Sequence, residues 1–157
     1  VLDADGINAI TPHMLLEDTA SAPWILTPHP GEMARLLETT AGAVQKNREE
    51  IARRFADTYG VTLALKGYHT LVAAPEQPLL CNPTGNPGMA TGGSGDVLAG
   101  IIGSLAAQGL TPVEAAACGV WLHGAAGDAA AARLSQHSML PSDLVEELGG
   151  LFLKFEK

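Results

Sequence analysis

The segment TGNPGMATGGSGDVLAG, residues 84–100, joins a glycine-rich loop to the start of an apolar helix. Six of its seventeen residues are glycine, and the spacing of the apolar residues after Gly95 predicts a helix to about Gln108. Free backbone N–H groups and the positive end of the helix dipole favour bound anions at a helix start, and glycine lets a ligand approach closely. The segment therefore predicts an anion site, although it lacks the lysine of a Walker A loop.

Asp96 adds a carboxylate in the first turn of this predicted helix, beside the anion site. Such a carboxylate can accept the proton of an attacking hydroxyl, and phosphoryl transfer needs positioning, charge neutralisation and a base of this kind. A carboxylate in a first turn is also favourable to the helix dipole alone, and a glycine-rich loop is a weak signal by itself. From the residues alone, a phosphoryl-transfer centre and a plain strand-to-helix turn both stay open.

The composition limits the partners that we expect. The chain has 157 residues and a net charge of −8, with 9 basic and 17 acidic residues and no basic run. It therefore lacks the positive surface that nucleic acids and anionic membranes require. Cys81 and Cys118 do not form a C-x-x-C pair, so we expect a reducing, cytoplasmic location without a metal-thiolate site. The apolar runs are too short to span a membrane.

Strands alternate with helices along the chain, which predicts an α/β fold with a mostly parallel sheet flanked by helices. We expect residues 1–157 to form a single domain. Strands are predicted at Val1–Leu2, Trp24–Leu26, VTLALK, TLVAAP and PLLCNP, the last two as an edge hairpin. Helices are predicted over 31–37, 41–59, 95–108, Thr111 to Leu134 and a C-terminal segment near Asp143 and Glu146.

Further polar residues follow the predicted strands, where open α/β sheets bind ligands. Two prolines fix the backbone around His29 in TPHPGE, so this His and Glu32 belong either to a site or to a stiff connector. Lys66 ends an apolar strand and can bind phosphate or lie at the surface. Asp3 and Asp5 can hold a metal ion or cap the following turn.

Two regions of the chain contain residues that we expect to pack against the rest of the protein. Met89, inside the glycine loop, can contact a base but is expected to pack instead. Cys118, Trp121 and His123 occupy the helix that follows Thr111, where we expect core or core-edge positions.

The motifs taken together resemble the NAD(P)H-hydrate dehydratase family of the ribokinase-like superfamily. The matching segments occur in the family's order and spacing over essentially the whole chain: LDADGIN (2–8), TPHPGE (27–32), LKG (65–67), GNPGMATGGSGDVLAGIIG (85–103) and HGAAGD (123–128). Related vitamin kinases have T-P-N-x-x-E where this chain has His29, so this histidine is the most discriminating feature. The resemblance implies a ribokinase-like fold whose N-terminal half is missing here.

The resemblance also implies an activity and roles for individual residues. ADP, or ATP in some branches, would phosphorylate the ring hydroxyl of hydrated NADH or NADPH, and loss of phosphate would restore the dihydronicotinamide. Asp96 would take the hydroxyl proton and His29 would contact the hydrated dinucleotide, while Glu32 would help to place Mg²⁺ through water. Backbone amides would stabilise the phosphoryl group in the glycine loop, at Gly92, Gly93, Ser94 and Gly95. The adenine nucleotide would lie against Gly95 and against Lys66, Gly67, Tyr68, His69 and Thr70.

Two alternatives and three further expectations accompany this interpretation. A ribokinase-like kinase of a thiazole or pyrimidine alcohol is the first alternative, and a non-catalytic nucleotide-binding module is the second. We expect a homo-oligomer, with neither nucleic acid nor membrane as a partner. Because the family's N-terminal half is absent, we also expect the isolated 157-residue chain to be poorly stable. Cooperative unfolding of that chain at a high midpoint temperature would contradict this last expectation.

Overall fold

The computed structural model describes residues 1–17 and 23–156. The helices are α1 (Ala4–Ala9), α2 (Pro12–Glu17), α3 (Pro30–Leu36), α4 (Ala41–Lys46), α5 (Arg48–Tyr59), α6 (Ser94–Ala107), α7 (Pro112–Leu134) and α8 (Pro141–Phe152). The strands are β1 (Ile25–Leu26), β2 (Thr62–Leu65), β3 (Leu71–Ala73) and β4 (Leu80–Cys81), and a short 3₁₀ helix covers Pro87–Met89. Among the described residues, no helix is both long enough and apolar enough to cross a membrane.

The sheet has the strand order β1-β2-β3-β4, with Leu2 bridged in parallel to Leu26 outside β1. The pair β1–β2 is parallel, whereas β2–β3 and β3–β4 are antiparallel. The α/β class and the edge hairpin are therefore confirmed, but the prediction of a mostly parallel sheet is wrong for the described strands. Only residues 66–70 separate β2 from β3, and a parallel pairing needs a crossover of about a dozen residues or more.

Helices cover both faces of this sheet because its strands are apolar on both sides. Leu63 and Leu65 of β2 pack with α1, α3, α4 and α5, whereas Ala64 between them packs with α6 and α7. All four residues of β2 are buried. A third cluster of buried apolar side chains joins α7 to α8. The result is a layered fold in which the ends of the strands lie between two groups of helices.

The predicted helix over residues 41–59 is two helices. Asn47 leaves helical geometry at φ −127° and ψ 35°, ends α4 and precedes α5. The apolar period continues across this break, so periodicity could not reveal it. The break makes Arg48 the first residue of α5.

Several smaller predictions can be compared with the structure. The helices α6 and α7 begin within a residue of the predicted positions, and Thr111 and Glu114 form the expected capping box of α7. Met89 packs against Gly127 as expected. Cys118 is exposed and not a core residue, since α7 buries the neighbouring positions 115, 116, 119 and 120.

Candidate active site

A compact group of charged side chains lies where the first strands end. The Nζ atom of Lys66 is 2.5 Å from Oδ1 of Asp3 and 3.8 Å from Oε2 of Glu32. The Thr27 hydroxyl donates to the same Asp3 oxygen at 2.8 Å. The side chains of all three charged residues are less than a fifth exposed. Two carboxylates therefore hold Lys66 at the end of β2. The sequence alone left open whether this lysine lies at the surface or in a site.

His29 and Glu32 form the N-terminal cap of α3. Nδ1 of His29 accepts hydrogen bonds from the N–H groups of Gly31 (2.9 Å) and Glu32 (3.1 Å). Oε2 of Glu32 in turn accepts from the His29 N–H at 2.7 Å. This is a capping box built with histidine in place of serine or threonine.

The cap depends on the local sequence P-H-P-G-E. A Cβ atom at position 31 would lie 2.8 Å from Cε1 of His29, so only glycine leaves room for the ring. Because Nδ1 accepts two hydrogen bonds, the proton of the neutral ring is on Nε2. Nε2 lies 3.5 Å from Oε1 of Glu32, and the His29 side chain is 56% exposed. His29 is therefore fixed on one side and open to a ligand on the other.

The N-terminus of α6 lies against the Lys66–Asp3 pair and carries no cap. A Cβ atom on Gly95 would be 3.3 Å from both Oδ2 of Asp3 and Nζ of Lys66. The N-cap residue is Gly93, at φ 91°, and it has no side chain to accept a hydrogen bond. No described residue accepts a hydrogen bond from the N–H of Gly95 or Asp96. These donors of a 14-residue helix are free for an anion.

Asp96 carries the second of these free amides, and its side chain is exposed. The described residues make no hydrogen bond or ion pair with its carboxylate. By contrast, the first-turn carboxylates Glu32 in α3 and Glu114 in α7 both complete capping boxes. Asp96 therefore has no capping role in its own helix and is available to a ligand.

His123 of α7 contacts Ser94, the first residue of α6. Its Nε2 atom lies 2.9 Å from the carbonyl oxygen of Ser94 and 3.2 Å from the Ser94 hydroxyl oxygen. Burial is the main reason that the pKa of His123 is lowered to about 4, and the nearby Lys66 lowers it further. The ring is therefore neutral near pH 7, with the Nε2 proton donated to the Ser94 carbonyl.

The rest of the HGAAGD segment holds the earlier part of the glycine loop. Asp128 accepts hydrogen bonds from the Gly85 N–H at 2.9 Å and from Nδ2 of Asn86 at 3.0 Å. A Cβ atom on Gly124 would lie 2.2 Å from Oγ1 of Thr84 and less than 3 Å from its backbone carbonyl. The loop thus rests directly on the backbone of α7.

The turn of residues 66–70 joins β2 to β3 beside this site. Tyr68 is 80% exposed, and its ring meets that of His69 edge to face at 3.9 Å. His69 adopts a positive φ of 54° and Gly67 one of 143°, so this turn has an unusual backbone. Nδ1 of His69 lies 3.1 Å from the Asn82 carbonyl oxygen.

The oxygen atoms of the charged group suit a hard divalent cation. Oδ1 of Asp3 is used by Lys66 and Thr27, whereas Oδ2 has no partner among the described residues. Oε2 of Glu32 is used by the His29 N–H. The described residues contain no group of three or more His, Cys, Asp or Glu side chains placed to share a metal ion. The donor set therefore fits a cation that phosphate and water also coordinate.

The structure brings Asp3, Glu32, Lys66 and Gly95 together, and it joins His29 to them through Glu32. Asp5 does not join this group and lies in the exposed first turn of α1. Asp3 occupies the N-cap position of that helix, but its side chain binds Lys66 and does not cap.

The sequence prediction missed the supporting roles of His123 and Asp128. The compact motif HGAAGD was a usable signal for them, since its small residues could allow another backbone to come close. Arg48, which contacts the turn of residues 66–70, was also missed and had no comparable signal.

A family model described as NAD(P)H-hydrate dehydratase matches residues 1–149. The chain is 53% identical over 148 residues to the bifunctional NAD(P)H-hydrate repair enzyme Nnr of Moorella thermoacetica, covering 94% of this chain and 28% of that protein. It is 51% identical over 130 residues to the ADP-dependent (S)-NAD(P)H-hydrate dehydratase of Neisseria meningitidis, covering 82% of this chain and 44% of that protein.

A solved structure gives the same result. The chain superposes with a TM-score of 0.85 and 34% identity on an ADP/ATP-dependent NAD(P)H-hydrate dehydratase from Bacillus subtilis, which was co-crystallised with ATP and Mg²⁺. The match covers 99% of this chain and 54% of that protein. The chain thus spans about half the length of this structural relative and less than half of the two curated relatives.

Proposed function

The chain belongs to the NAD(P)H-hydrate dehydratase family, and from this membership we propose that the protein dehydrates hydrated NADH or NADPH in a nucleotide-dependent repair reaction. The ring hydroxyl attacks the terminal phosphorus of ADP, and AMP leaves. The C–O bond of the phosphorylated ring then breaks, and phosphate departs with the bonding electron pair. Loss of a ring proton restores the dihydronicotinamide. ATP is the alternative donor.

The observation that carries this proposal is the free, exposed carboxylate of Asp96 beside the uncapped N-terminus of α6. An enzyme of this type needs donors for the transferring phosphoryl group and a base for the hydroxyl proton within one helical turn. The unpartnered N–H groups of Gly95 and Asp96 are such donors, together with those of Gly92 and Gly93, whereas the Ser94 N–H already donates to the Thr91 carbonyl oxygen. Asp96 is the base.

The remaining site residues have binding roles in this proposal. Nε2–H of His29 is open to the hydrated dinucleotide, since Nδ1 is used in the cap of α3. Lys66, through its ammonium group, and the backbone of residues 67–70 hold the adenine nucleotide together with Gly95. Gly95 lies close to the Lys66 ammonium group, since a Cβ atom at this position would be 3.3 Å from Nζ, and this proximity supports a shared nucleotide site for the two segments.

Mg²⁺ fits the free oxygen atoms of the charged group. When bound, the ion neutralises phosphate charge and orients the transferring group. Glu32 would hold it through water, because its side chain is buried and one of its oxygens already accepts from His29 N–H. Oδ2 of Asp3, which has no partner among the described residues, is a second oxygen that could take part.

The absorbance at 340 nm of hydrated NADH tests the activity in the full-length protein, with Mg²⁺ and either ADP or ATP. An increase that depends on nucleotide supports the dehydratase and identifies its donor. Nucleotide binding without any increase, for both donors and for hydrated NADPH, contradicts it.

Replacing Asp96 with Asn tests the assigned base. We expect the turnover number to fall by at least about 100-fold, since general bases commonly contribute this much. Nucleotide affinity should stay within about threefold, because Asn keeps the start of α6 and the free amides. The exposed Asp57→Asn variant on α5 is the matched control. A collapse of nucleotide affinity in D96N would make Asp96 structural and the mechanism wrong.

One observation keeps the small-alcohol kinase as a second candidate. His29 caps α3 as the asparagine of the vitamin kinases could, because Asn is a favoured N-cap residue. The capping role of His29 therefore does not distinguish a dehydratase from a vitamin kinase. Only the exposed Nε2 side of the ring can distinguish them. A stable phosphorylated alcohol as the product identifies a kinase, whereas released phosphate with NADH identifies the dehydratase.

The remaining partner and location predictions follow from composition and from the family. The net charge of −8 supports a protein that binds neither nucleic acid nor membranes. A cytoplasmic location and a homo-oligomeric state are part of the same proposal. Size-exclusion chromatography with light scattering of the full-length protein tests the oligomeric state.

A further inference from the structure

The turn of residues 66–70 has an unequal distribution of hydrogen bonds. Every backbone carbonyl from Leu65 to Thr70 has an acceptor role within the protein. By contrast, no described residue accepts a hydrogen bond from the N–H groups of residues 67–69. Three backbone donors of one exposed turn are therefore unpaired, and a turn of this kind binds anions and other acceptors.

Arg48 is the main cause of this arrangement. Its Nη1 atom donates to the carbonyl of Tyr68 at 2.6 Å. Its Nη2 atom donates to Leu65 at 3.0 Å and lies 3.4 Å from the carbonyl oxygens of Lys66 and His69. One guanidinium group thus collects four carbonyls on one side of the turn.

The fit between Arg48 and the turn is close. A Cβ atom on Gly67 would lie 3.1–3.4 Å from three guanidinium atoms, and the positive φ of 143° at this residue disfavours any other side chain. The positive φ of His69 is also part of the turn that Arg48 holds. The fork of the guanidinium matches several carbonyls at once, which a lysine ammonium cannot do.

The charge of Arg48 is not neutralised by an acidic partner. Among the described residues, no carboxylate lies within ion-pair distance of its guanidinium. Burial lowers the pKa of Arg48, although an arginine stays protonated throughout the physiological range. A permanent positive charge therefore lies behind a turn whose unpaired donors are open to a ligand.

We infer that Arg48 is a positioning residue for nucleotide binding: it holds the carbonyls of residues 65, 66, 68 and 69 and leaves the N–H groups of residues 67–69 for acceptor atoms of the adenine nucleotide. The inference rests on the proposed function, which assigns this turn to the nucleotide. Arg48 acts through the turn and does not touch the reacting atoms. Its effect should appear in nucleotide affinity and not in the chemical step.

The experiment compares Arg48→Gln and Arg48→Lys with the matched control Arg54→Gln in the full-length protein. Arg54 lies on the same helix, but it is exposed and pairs only with Glu50 among the described residues. Isothermal titration with ADP and with ATP gives the dissociation constants, and the 340 nm assay gives the kinetic constants. Thermal unfolding confirms that each variant is folded at the assay temperature.

For R48Q we expect the dissociation constant and the KM for nucleotide to rise about tenfold, the equivalent of one good hydrogen bond to a charged group. The KM for hydrated NADH should stay within about twofold, and kcat at saturating nucleotide within about threefold. R48K should fall between R48Q and the wild type. R54Q should behave as the wild type.

A role in folding alone would lower the melting temperature and leave nucleotide affinity unchanged, and this result would overturn the inference. If R48Q does not fold, R48K provides the same comparison. Wild-type protein that binds nucleotide but does not dehydrate the substrate would contradict the proposed function, while the dissociation constants of the variants still decide the role of Arg48. A wild-type protein that binds neither nucleotide overturns both.

Discussion

The two loops of the candidate site are held in different ways. The turn of residues 66–70 is held mainly by one side chain, because the Arg48 guanidinium contacts the carbonyls of Leu65, Lys66, Tyr68 and His69. The glycine loop is held along its length by α7, through Gly124, Gly127, Asp128 and His123. The turn of residues 66–70 thus depends mainly on one guanidinium group, whereas the glycine loop rests on a helix backbone.

This difference predicts different consequences of substitution. Substitution of Arg48, which holds the turn, should alter nucleotide affinity while the protein stays folded. Changes in α7 should alter stability together with the geometry of the free amides at Gly95 and Asp96, because these amides follow the loop. Among the contacts of the glycine loop with α7, that of Gly124 with Thr84 is the closest.

Gly124→Ala should have the largest effect. The new methyl group would overlap the Thr84 side chain and its backbone carbonyl, with distances between 2.2 and 2.8 Å. Overpacking of this kind costs about 3 kcal/mol, which exceeds the gain of up to about 1 kcal/mol in helix propensity. We expect chemical denaturation to show this loss and kcat to fall at least about tenfold.

Gly100→Ala is the matched control, because it is also a helical glycine but has no atom within 4 Å of the added Cβ. It should be neutral or stabilising by up to about 1 kcal/mol. Equal stabilities of the two variants would show that the glycine loop does not rest on α7.

His123→Gln should remove part of the pH dependence of stability. The pKa of His123 is about 4 in the folded protein and near 6.5 in the unfolded chain, mainly because of burial. The unfolded chain therefore binds more protons between these values, so the contribution is complete above pH 6.5 and is lost as the pH falls toward 4. The loss amounts to roughly 2–3 kcal/mol.

Urea denaturation at several pH values between 4 and 7 measures this effect as the difference in slope between wild type and H123Q. Gln can still donate to the Ser94 carbonyl, so the variant keeps the main contact at neutral pH. The exposed His137→Gln variant is the control and should retain the wild-type slope. Parallel pH profiles for H123Q and the wild type would contradict the buried neutral state of His123.

The sequence predicted the parts of the fold that depend on local patterns. Glycine and the following apolar period located the start of α6, and Thr111 with Glu114 located that of α7. The break at Asn47 was missed because the apolar period continues through it. The antiparallel β2–β3 pair was missed because the sheet was inferred from the alternation of elements, although the short turn between them already excluded a parallel pair.

The residues of the candidate site show the same difference between local patterns and tertiary contacts. The sequence could propose Asp96, His29 and Glu32 because each lies inside a recognisable local motif. It left Lys66 open, since the partner that holds it, Asp3, is 63 residues away along the chain. Arg48 could not be proposed at all, because its role depends on the direction of carbonyl groups that only tertiary structure fixes.

Asp128→Asn should have the smallest effect of these changes. Its carboxylate accepts two hydrogen bonds from Gly85 and Asn86, and Asn keeps one acceptor but loses the charge. Because Asp128 is exposed, water compensates in part, and we expect a loss of about 1 kcal/mol in urea denaturation. The Asp57→Asn variant, also exposed, should change stability by less than about 0.5 kcal/mol. If D128N and D57N have the same stability, packing of Thr84 and Met89 on the α7 glycines holds the loop without help from the Asp128 carboxylate. The two loops then differ in a simple way: backbone packing holds the glycine loop, and side-chain hydrogen bonds from Arg48 hold the turn of residues 66–70.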